Sequence, residues 1–443
     1  KVLLHLEEQI IPLQRQDRGV WHTQILGDLE GKAYYYIHKV NGKWVEVHDP
    51  YALSSDANSG HSYVIDRKKI SRPIHRAASQ VKPTEAVIYE MSVRDFSMQK
   101  EAGFSQPGKF ASLSESPSVH GQTFGLKYLQ DLGITHVQLM PVYDFGSVDE
   151  KHPELVYNWG YDPVQYNVPE GSLSSDPHNS YSRIFELQDA IAAYHKADMS
   201  VIMDVVYNHV YEADNYAFEK IVPGYFYRLD ERGIRTNGTF CGNDVASEKA
   251  MVRHYIQQSV QQWVSLYGFD GFRFDLMGIL DITTMKQIAQ ELKAIYPNIY
   301  LYGEGWQMPT GLDSDLLAHQ FNAEQLAEYG FFSDHFRDTI KQTIVQGSRL
   351  DKEHATSWLE NVLTANVGLT GEQHFLAPHQ AINYVECHDN ATVFDYFDIQ
   401  NPNISLRQRL ANSRLALHIV LLAQGVPFLH SGQEFYRTKN LID

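Results

Sequence analysis

Between residues 85 and 443, short apolar runs alternate with longer segments that have apolar residues three and four positions apart. The short runs read as strands; they are "AVIYEMSV", "THVQLMPV", "SVIMDVVYN", "DGFRFDL", "NIYLYGEGW", "GFFSDHF", "AINYVECHD" and "VPFLHSG". The longer segments read as helices, among them "SRIFELQDAIAAYHKA", "SEKAMVRHYIQQSVQQWVSLYG", "TTMKQIAQELKAIY" and "SLRQRLANSRLALHIVLLAQ". Strands that are apolar on both faces are typical of parallel sheets covered by helices. Eight of them predict an α/β fold, a (β/α)8 TIM barrel. A doubly wound open sheet is the alternative, but no GxGxxG opens any unit.

Residues 1–84 follow a different pattern, without a helical stretch of any length. In "KAYYYIHKVNGKWVEVHDPYA", two alternating segments flank an Asn-Gly pair, which predicts a β-hairpin. The segment "SRPIHRAASQVKP" reads as a linker. We therefore expect a small all-β domain over residues 1–84 and a catalytic barrel over residues 85–443.

The composition limits which binding partners and which cellular location can be expected. With 54 acidic and 37 basic residues, the net charge of −17 argues against nucleic acid and anionic membranes as partners. No apolar run has the length of a membrane span. Two cysteines make neither a disulfide framework nor a metal motif, which favours a cytoplasmic location. Because the sequence starts without methionine, its N-terminus looks trimmed, and a secreted or cell-surface protein is the alternative.

Polar residues cluster where the predicted strands end. In a barrel of this type, the carboxyl ends of all strands meet at one mouth, where active sites lie. A single polar residue there often caps the next helix, but that explanation covers the whole set poorly. By strand, the set comprises Asp204, Asn208 and His209 (third), Arg273 and Asp275 (fourth), Glu304 and Trp306 (fifth), and His388 and Asp389 (seventh).

Three of these acids suit glycoside hydrolysis, which needs one ionised and one protonated carboxyl group. Arg273 and Asp275 are two residues apart and share a strand face. We expect the arginine to depress the pKa of Asp275, which favours Asp275 as the nucleophile. Apolar surroundings and neighbouring acids should raise the pKa of Glu304, which favours it as the general acid.

The remaining polar residues have supporting roles in this hypothesis. Asp389 would bind sugar hydroxyls and stabilise positive charge in the transition state. His209 and His388 are expected to be neutral donors to sugar hydroxyls. The chemistry requires no cofactor, and no HExxH-type zinc spacing is present.

Four stretches resemble the signature regions of the α-amylase superfamily: "DVVYNH", "GFRFDLMG", "GEGW" and "VECHDN". The heptapeptide "YNWGYDP" resembles the hallmark of type I pullulanases, which cut α-1,6 branch linkages. Residues 1–84 look like the starch-binding-type β-sandwich that precedes the barrel in this family. The resemblance implies an α-glucan substrate, namely pullulan, amylopectin, limit dextrins or glycogen.

The resemblance also implies a role for each matching position. Asp275 corresponds to the nucleophile, Glu304 to the acid/base and Asp389 to the transition-state stabiliser. The positions implied to contact or support sugar are Arg273, His209 and His388 at the cleavage point, Tyr161 stacking on that sugar, Asp204 supporting it, and Leu276, Met277 and Trp306 facing the neighbouring sugar. Asn208 matches a calcium-binding position of many amylases, but its partner ligands cannot be assigned, so the metal is unknown.

Two departures and two alternatives accompany the resemblance. The family carries a final helix and a C-terminal β domain, which we expect to be absent from this chain, and the first strands of the N-terminal sandwich are not recognised either. An isoamylase-like or α-1,4-acting enzyme is the first alternative. A non-catalytic α-glucan-binding protein is the second, and the presence of all three acids argues against it.

Overall fold

The structure, a computed structural model, describes residues 1–79, 81–347, 352–367 and 375–440. Its largest unit is a closed barrel of eight parallel strands, which confirms the predicted fold and excludes the open sheet. In chain order the strands are β1 (Ile88–Met91), β2 (His136–Leu139), β3 (Ser200–Val205), β4 (Gly271–Phe274), β5 (Tyr300–Gly303), β6 (Tyr329–Phe332), β7 (Ala381–Asn383) and β8 (Val426–His430). Each strand pairs with the next, and β8 closes against β1.

Every residue of these eight strands is buried, because the barrel interior covers one face and the helices cover the other. The four predicted helices are present. The main helices span Leu126–Leu132, Ser182–Lys196, Ala250–Gln262, Ile282–Ile295, Asp334–Gln346, Lys352–Leu363, Val393–Gln400 and Leu406–Leu422; shorter ones span Arg67–Ile70, Val93–Ser97 and Ala217–Ile221. Over the described residues, none of the helices combines the length and apolarity that crossing a bilayer requires.

The N-terminal region is built on one five-stranded antiparallel sheet, of strands Val2–Leu6, Gln9–Pro12, Ala33–Val40, Lys43–Val47 and Ser62–Tyr63. The predicted hairpin is confirmed. Its turn residues, Asn41 and Gly42, both have positive φ, as the tight turn requires. In the described part of residues 1–84, the only other sheet is a ribbon of two short strands, Gln14–Arg15 and Trp21–His22. The expected sandwich is therefore represented by one full sheet only.

The predicted linker is irregular but is fastened to the barrel. The Arg76 guanidinium donates to the carbonyls of Gly268 and Phe269 and pairs with Asp270 at 2.8 Å. It also lies over the ring of Tyr296, 4.2 Å from the centroid. Residue 80 of the linker and residues 441–443 of the predicted barrel domain lie outside the described residues.

A short hairpin follows β2 and carries the "YNWGYDP" heptapeptide between its strands, Tyr143–Phe145 and Pro163–Pro169. Gly160 sits at the tightest point, with φ of +93°, and an added Cβ would lie 2.9 Å from the Phe145 ring. A side chain there would be strained and would clash, so the loop requires glycine. The hairpin holds the loop over the barrel mouth.

Candidate active site

One guanidinium joins three carboxylates at the barrel mouth. Arg273 Nη1 lies 2.9 Å from both Asp204 Oδ1 and Asp275 Oδ1, and Arg273 Nη2 lies 2.6 Å from Glu304 Oε1. The register explains this, because Asp204 pairs with Arg273 across β3 and β4. The expected Arg273–Asp275 ion pair is confirmed, but it is one of three that a single arginine makes. The burial cost of three acids is offset by one shared cation.

Asp275 is held from two sides and keeps a path to solvent. The amide of Asn208 donates to its carbonyl at 2.7 Å and to its carboxylate at 2.9 Å. Its side chain is 11% exposed, whereas that of Asp204 is fully buried. Asn208 thereby connects the end of β3 to Asp275.

The surroundings of Glu304 favour the protonated form that a general acid needs. Burial raises its pKa to about 7, and the charges of Asp275 and Asp389 act in the same direction against that of Arg273. The backbone N–H of Leu276 donates to Glu304 Oε2 at 3.0 Å. Leu276 adopts the left-handed region, with φ of 39°, directly after Asp275. This local strain aims a donor at the acid and fixes the two carboxyls relative to each other.

Asp389 is the most exposed of the three predicted acids, with 44% of its side chain open to solvent. Its Oδ1 lies 3.5 Å from Nε2 of His388. Burial alone would lower the pKa of His388, but the Glu90 carboxylate outweighs burial and raises that pKa to about 9. The raised pKa favours the imidazolium at neutral pH, against the expectation that His388 is a neutral donor.

Tyr161 packs at the centre of the site. Its hydroxyl donates to Asp204 Oδ2 at 2.7 Å, and its ring stacks on His388 with centroids 4.8 Å apart. His209 Nε2 lies 2.8 Å from the Tyr161 carbonyl, and burial lowers the pKa of His209, in line with the expected neutral donor. Burial also raises the pKa of Asp204 to about 7 despite Arg273.

The three residues expected to face a neighbouring sugar differ in exposure. Leu276 and Trp306 are partly exposed beside the catalytic carboxyls. Met277 is fully buried and belongs to the main hydrophobic core, against Gly303. Its side chain offers no surface to a ligand, so the expectation that Met277 faces a neighbouring sugar is wrong. After the turn that follows Asp275, this side chain points into the core.

A cavity of about 290 Å³ adjoins His388 and is lined by Trp159, Tyr157 and Lys439 among others. Trp159 packs edge-on against His388, and the ammonium of Lys439 lies 5.4 Å from the Trp159 ring centroid. Lys439 Nζ also donates to the carbonyls of His388 and Asn390, on either side of Asp389. Partly exposed aromatic rings beside polar groups suit the alternating apolar and hydroxyl faces of a sugar.

A second buried acid cluster lies beside the hairpin, where carboxylate oxygens of Asp144, Glu150 and Glu170 come within 4.8 Å of one another. Among the described residues it is the one group whose spacing would suit a metal ion. The Arg183 guanidinium already pairs with Glu150 at 3.0 Å. Burial raises the pKa of Asp144 to about 7, so this cluster can balance its charge with protons.

The sequence hypothesis missed Glu90, Trp159 and Lys439. The signal for Glu90 was available, since it is a lone acid inside the apolar run "AVIYEMSV", just as Arg273 is a lone cation inside its own run. Trp159 lies within the quoted heptapeptide. Lys439 lies at the site because the chain folds back after β8, and no local sequence pattern predicts that fold-back.

Comparison with known proteins agrees with this geometry. The family model of the α-amylase catalytic domain matches residues 109–223. The chain is 41% identical to a pullulanase of Bacillus subtilis over 97% of its own length and 61% of that protein. It thus spans less than two thirds of that relative.

Solved structures give the same result. The chain superposes on a pullulanase of an Anoxybacillus species complexed with maltotetraose with a TM-score of 0.94 at 42% identity, covering all of this chain and 66% of that one. The TM-score is 0.95 for apo pullulanase of Paenibacillus barengoltzii, at 41% identity and covering 100% and 71% of the two chains. Fold and site together define a barrel protein of the α-amylase class. Within that class, the chain belongs to the pullulanase family.

Proposed function

We propose that this protein is a retaining glycoside hydrolase that cleaves α-1,6 linkages in pullulan, amylopectin, limit dextrins or glycogen. One observation carries the proposal: Arg273 contacts both Asp275 and Glu304, so the two carboxyls share a mouth, while burial raises the pKa of Glu304 to about 7. Two carboxyls that contact one guanidinium are compatible with the separation of roughly 5–5.5 Å that retaining enzymes use.

The steps follow from these positions. Asp275 attacks the anomeric carbon while Glu304 gives its proton to the departing glycosidic oxygen, so the C–O bond breaks and an ester to Asp275 forms. The ionised Glu304 then takes a proton from water, whose oxygen attacks the same carbon and releases Asp275. Asp389 stabilises the positive charge that develops on the sugar ring in both steps.

The choice of substrate rests on relatives and on the loop over the mouth. Related pullulanases have been solved with maltotriose and maltotetraose, which supports binding of α-glucan oligosaccharides by this site. The linkage is a finer inference from "YNWGYDP" and from Leu276 and Trp306 beside the nucleophile. An α-1,6 bond has one more rotatable link, and misplacement of the reacting oxygen by about 1 Å can cost on the order of 10²-fold in rate.

The test is digestion of pullulan and amylose with the intact protein, followed by chromatography of the products. We expect maltotriose from pullulan and almost no product from amylose. Equal rates on both would favour an α-1,4-acting enzyme, and hydrolysis of amylopectin branches without pullulan cleavage would favour an isoamylase-like one. Two free cysteines, Cys241 and Cys387, support the further prediction of a cytoplasmic location.

A further inference from the structure

Glu90, in the middle of β1, is 1% exposed and contacts one residue twice. Its Oε2 accepts from the backbone N–H of His388 at 2.7 Å, and its Oε1 lies 2.8 Å from His388 Nδ1. Contacts to both the backbone and the ring fix where the imidazole lies and how it is turned. The carboxylate is itself oriented, because Gln138 donates to it and Tyr302 donates to Gln138.

This contact decides which nitrogen of His388 carries a proton. Nδ1 must donate, because its neighbour at 2.8 Å is a carboxylate oxygen. A neutral imidazole has one N–H, so a neutral ring bound in this way would leave Nε2 as an acceptor. Nε2 is the nitrogen that faces Asp389, at 3.5 Å, and the ring plane is set by stacking on Tyr161 at 18°. Only the imidazolium presents an N–H to the cleavage point.

We propose that Glu90 is a positioning residue of the catalytic centre, which holds His388 as an imidazolium whose Nε2–H points at the sugar being cleaved. The proposal rests on the proposed function for its consequence in catalysis. Its structural half, a doubly protonated His388, stands apart from that function.

The charges around His388 are consistent with this assignment. Burial alone would raise the pKa of Glu90, but its interaction with His388 lowers that pKa to about 2. The other charged or titratable groups around His388 come from several elements: Asp389 beside it, Arg273 on β4, Asp204 on β3, Tyr161 on the hairpin loop, and Lys439 after β8, which contacts the His388 carbonyl. Arg273 opposes the proton on His388, and Glu90 is the contact that outweighs it.

The barrel offers a matched control at its opposite end. Asp270, just before β4, also contacts a buried imidazole, that of His195 at 2.7 Å, and a backbone N–H, that of Val201 at 2.8 Å. It is 2% exposed. Asp270→Asn therefore removes a charge from a similar buried carboxylate–imidazole contact that is remote from the mouth, although Asp270 also pairs with Arg76.

The experiment compares Glu90→Gln with Asp270→Asn. In Glu90→Gln the amide oxygen can still accept from Nδ1, but burial now lowers the pKa of His388 against the charge of Asp389, without that of Glu90. We expect a new alkaline limb in kcat/KM, with activity highest at low pH and falling about tenfold for each pH unit above the lowered pKa. Asp270→Asn should lose thermal stability without gaining that limb. An unchanged profile in folded Glu90→Gln overturns the proposal.

A second measurement needs no variant and no turnover. In the 15N NMR spectrum of histidine-labelled wild-type protein, assigned by comparison with His388→Gln, both ring nitrogens of His388 should stay protonated at pH 7.5. A neutral His388 there overturns the proposal even if pullulan is cleaved. If His388 is doubly protonated but the protein does not cleave pullulan, the proposed function is wrong, whereas the assignment of His388 as an imidazolium still holds. If Glu90→Gln fails to fold, Glu90→Asp keeps the charge and should show no new limb, only a lower kcat.

Discussion

Two buried groups in this molecule contain the same residue types, three carboxylates and one arginine. At the mouth, Arg273 contacts Asp204, Asp275 and Glu304 together. Beside the hairpin, Arg183 pairs with Glu150, one acid of the cluster that also holds Asp144 and Glu170. The mouth group keeps 11% and 9% of the Asp275 and Glu304 side chains open, whereas Glu150 is 2% exposed and Asp144 and Glu170 are fully buried.

The comparison teaches that perturbed pKa values do not by themselves mark an active site. Burial raises the pKa of Asp144 and of Glu304 alike, to about 7 in each case. What separates the two groups is placement at the carboxyl ends of barrel strands and a path to solvent, both of which a substrate needs. The hairpin cluster instead contacts the N-terminal region, since Ser59 donates to Asp144 at 2.6 Å.

The largest expected difference between the two groups is in turnover. Asp275→Asn should lower kcat on pullulan by several orders of magnitude while substrate still binds, because the nucleophile is lost and the shape is kept. Asp144→Asn, the matched change in the hairpin cluster, should leave kcat within about threefold, since Asp144 contacts no reacting atom. Steady-state kinetics and calorimetric binding check both. Loss of turnover in Asp144→Asn alone would reverse the assignment of the two groups.

The next difference is in what happens when each arginine is replaced. Arg273→Met removes the one cation shared by three buried acids, and Arg183→Met leaves Glu150 unpaired, so each should cost on the order of 3–5 kcal/mol in the free energy of unfolding. Only Arg273→Met should also abolish turnover in the protein that remains folded. Urea denaturation, with activity measured per folded molecule, separates the two effects. Comparable activity in both variants would contradict the distinction.

The smallest difference is in pH dependence. Because the pKa of Glu304 is raised to about 7, the acid is protonated below that pH and is lost as pH rises through it. The profile of kcat/KM should therefore have an alkaline limb near pH 7, and Glu304→Gln should remove it for substrates with good leaving groups. Asp144→Asn should keep the limb, although Asp144 titrates in the same range. If the alkaline limb of kcat/KM is still present in Glu304→Gln, another residue is the general acid.

Much of the mouth could be predicted because parallel barrel strands bring their ends together whatever the loops do. The run "GFRFDLMG" places Arg273 and Asp275 on one face by alternation alone, and the structure confirms that pair. Alternation cannot show that Asp204 and Glu304 join the same guanidinium, because that contact depends on the register between β3, β4 and β5.

The errors have equally physical causes. The resemblance implies that Met277 faces the neighbouring sugar, but after the left-handed turn at Leu276 its side chain lies in the core. His388 was expected to be neutral because its partner, Glu90, is 298 positions away in the sequence.

The central claim, that Asp275 and Glu304 act as a retaining pair, is tested most directly by the configuration of the first product. The measurement is 1H NMR of a pullulan digest within the first minutes, before the released sugar mutarotates. Two displacements at one carbon predict that the α-anomer of maltotriose appears first and the β-anomer grows in later. A β-anomer that appears first would mean a single displacement by water, and would contradict the account.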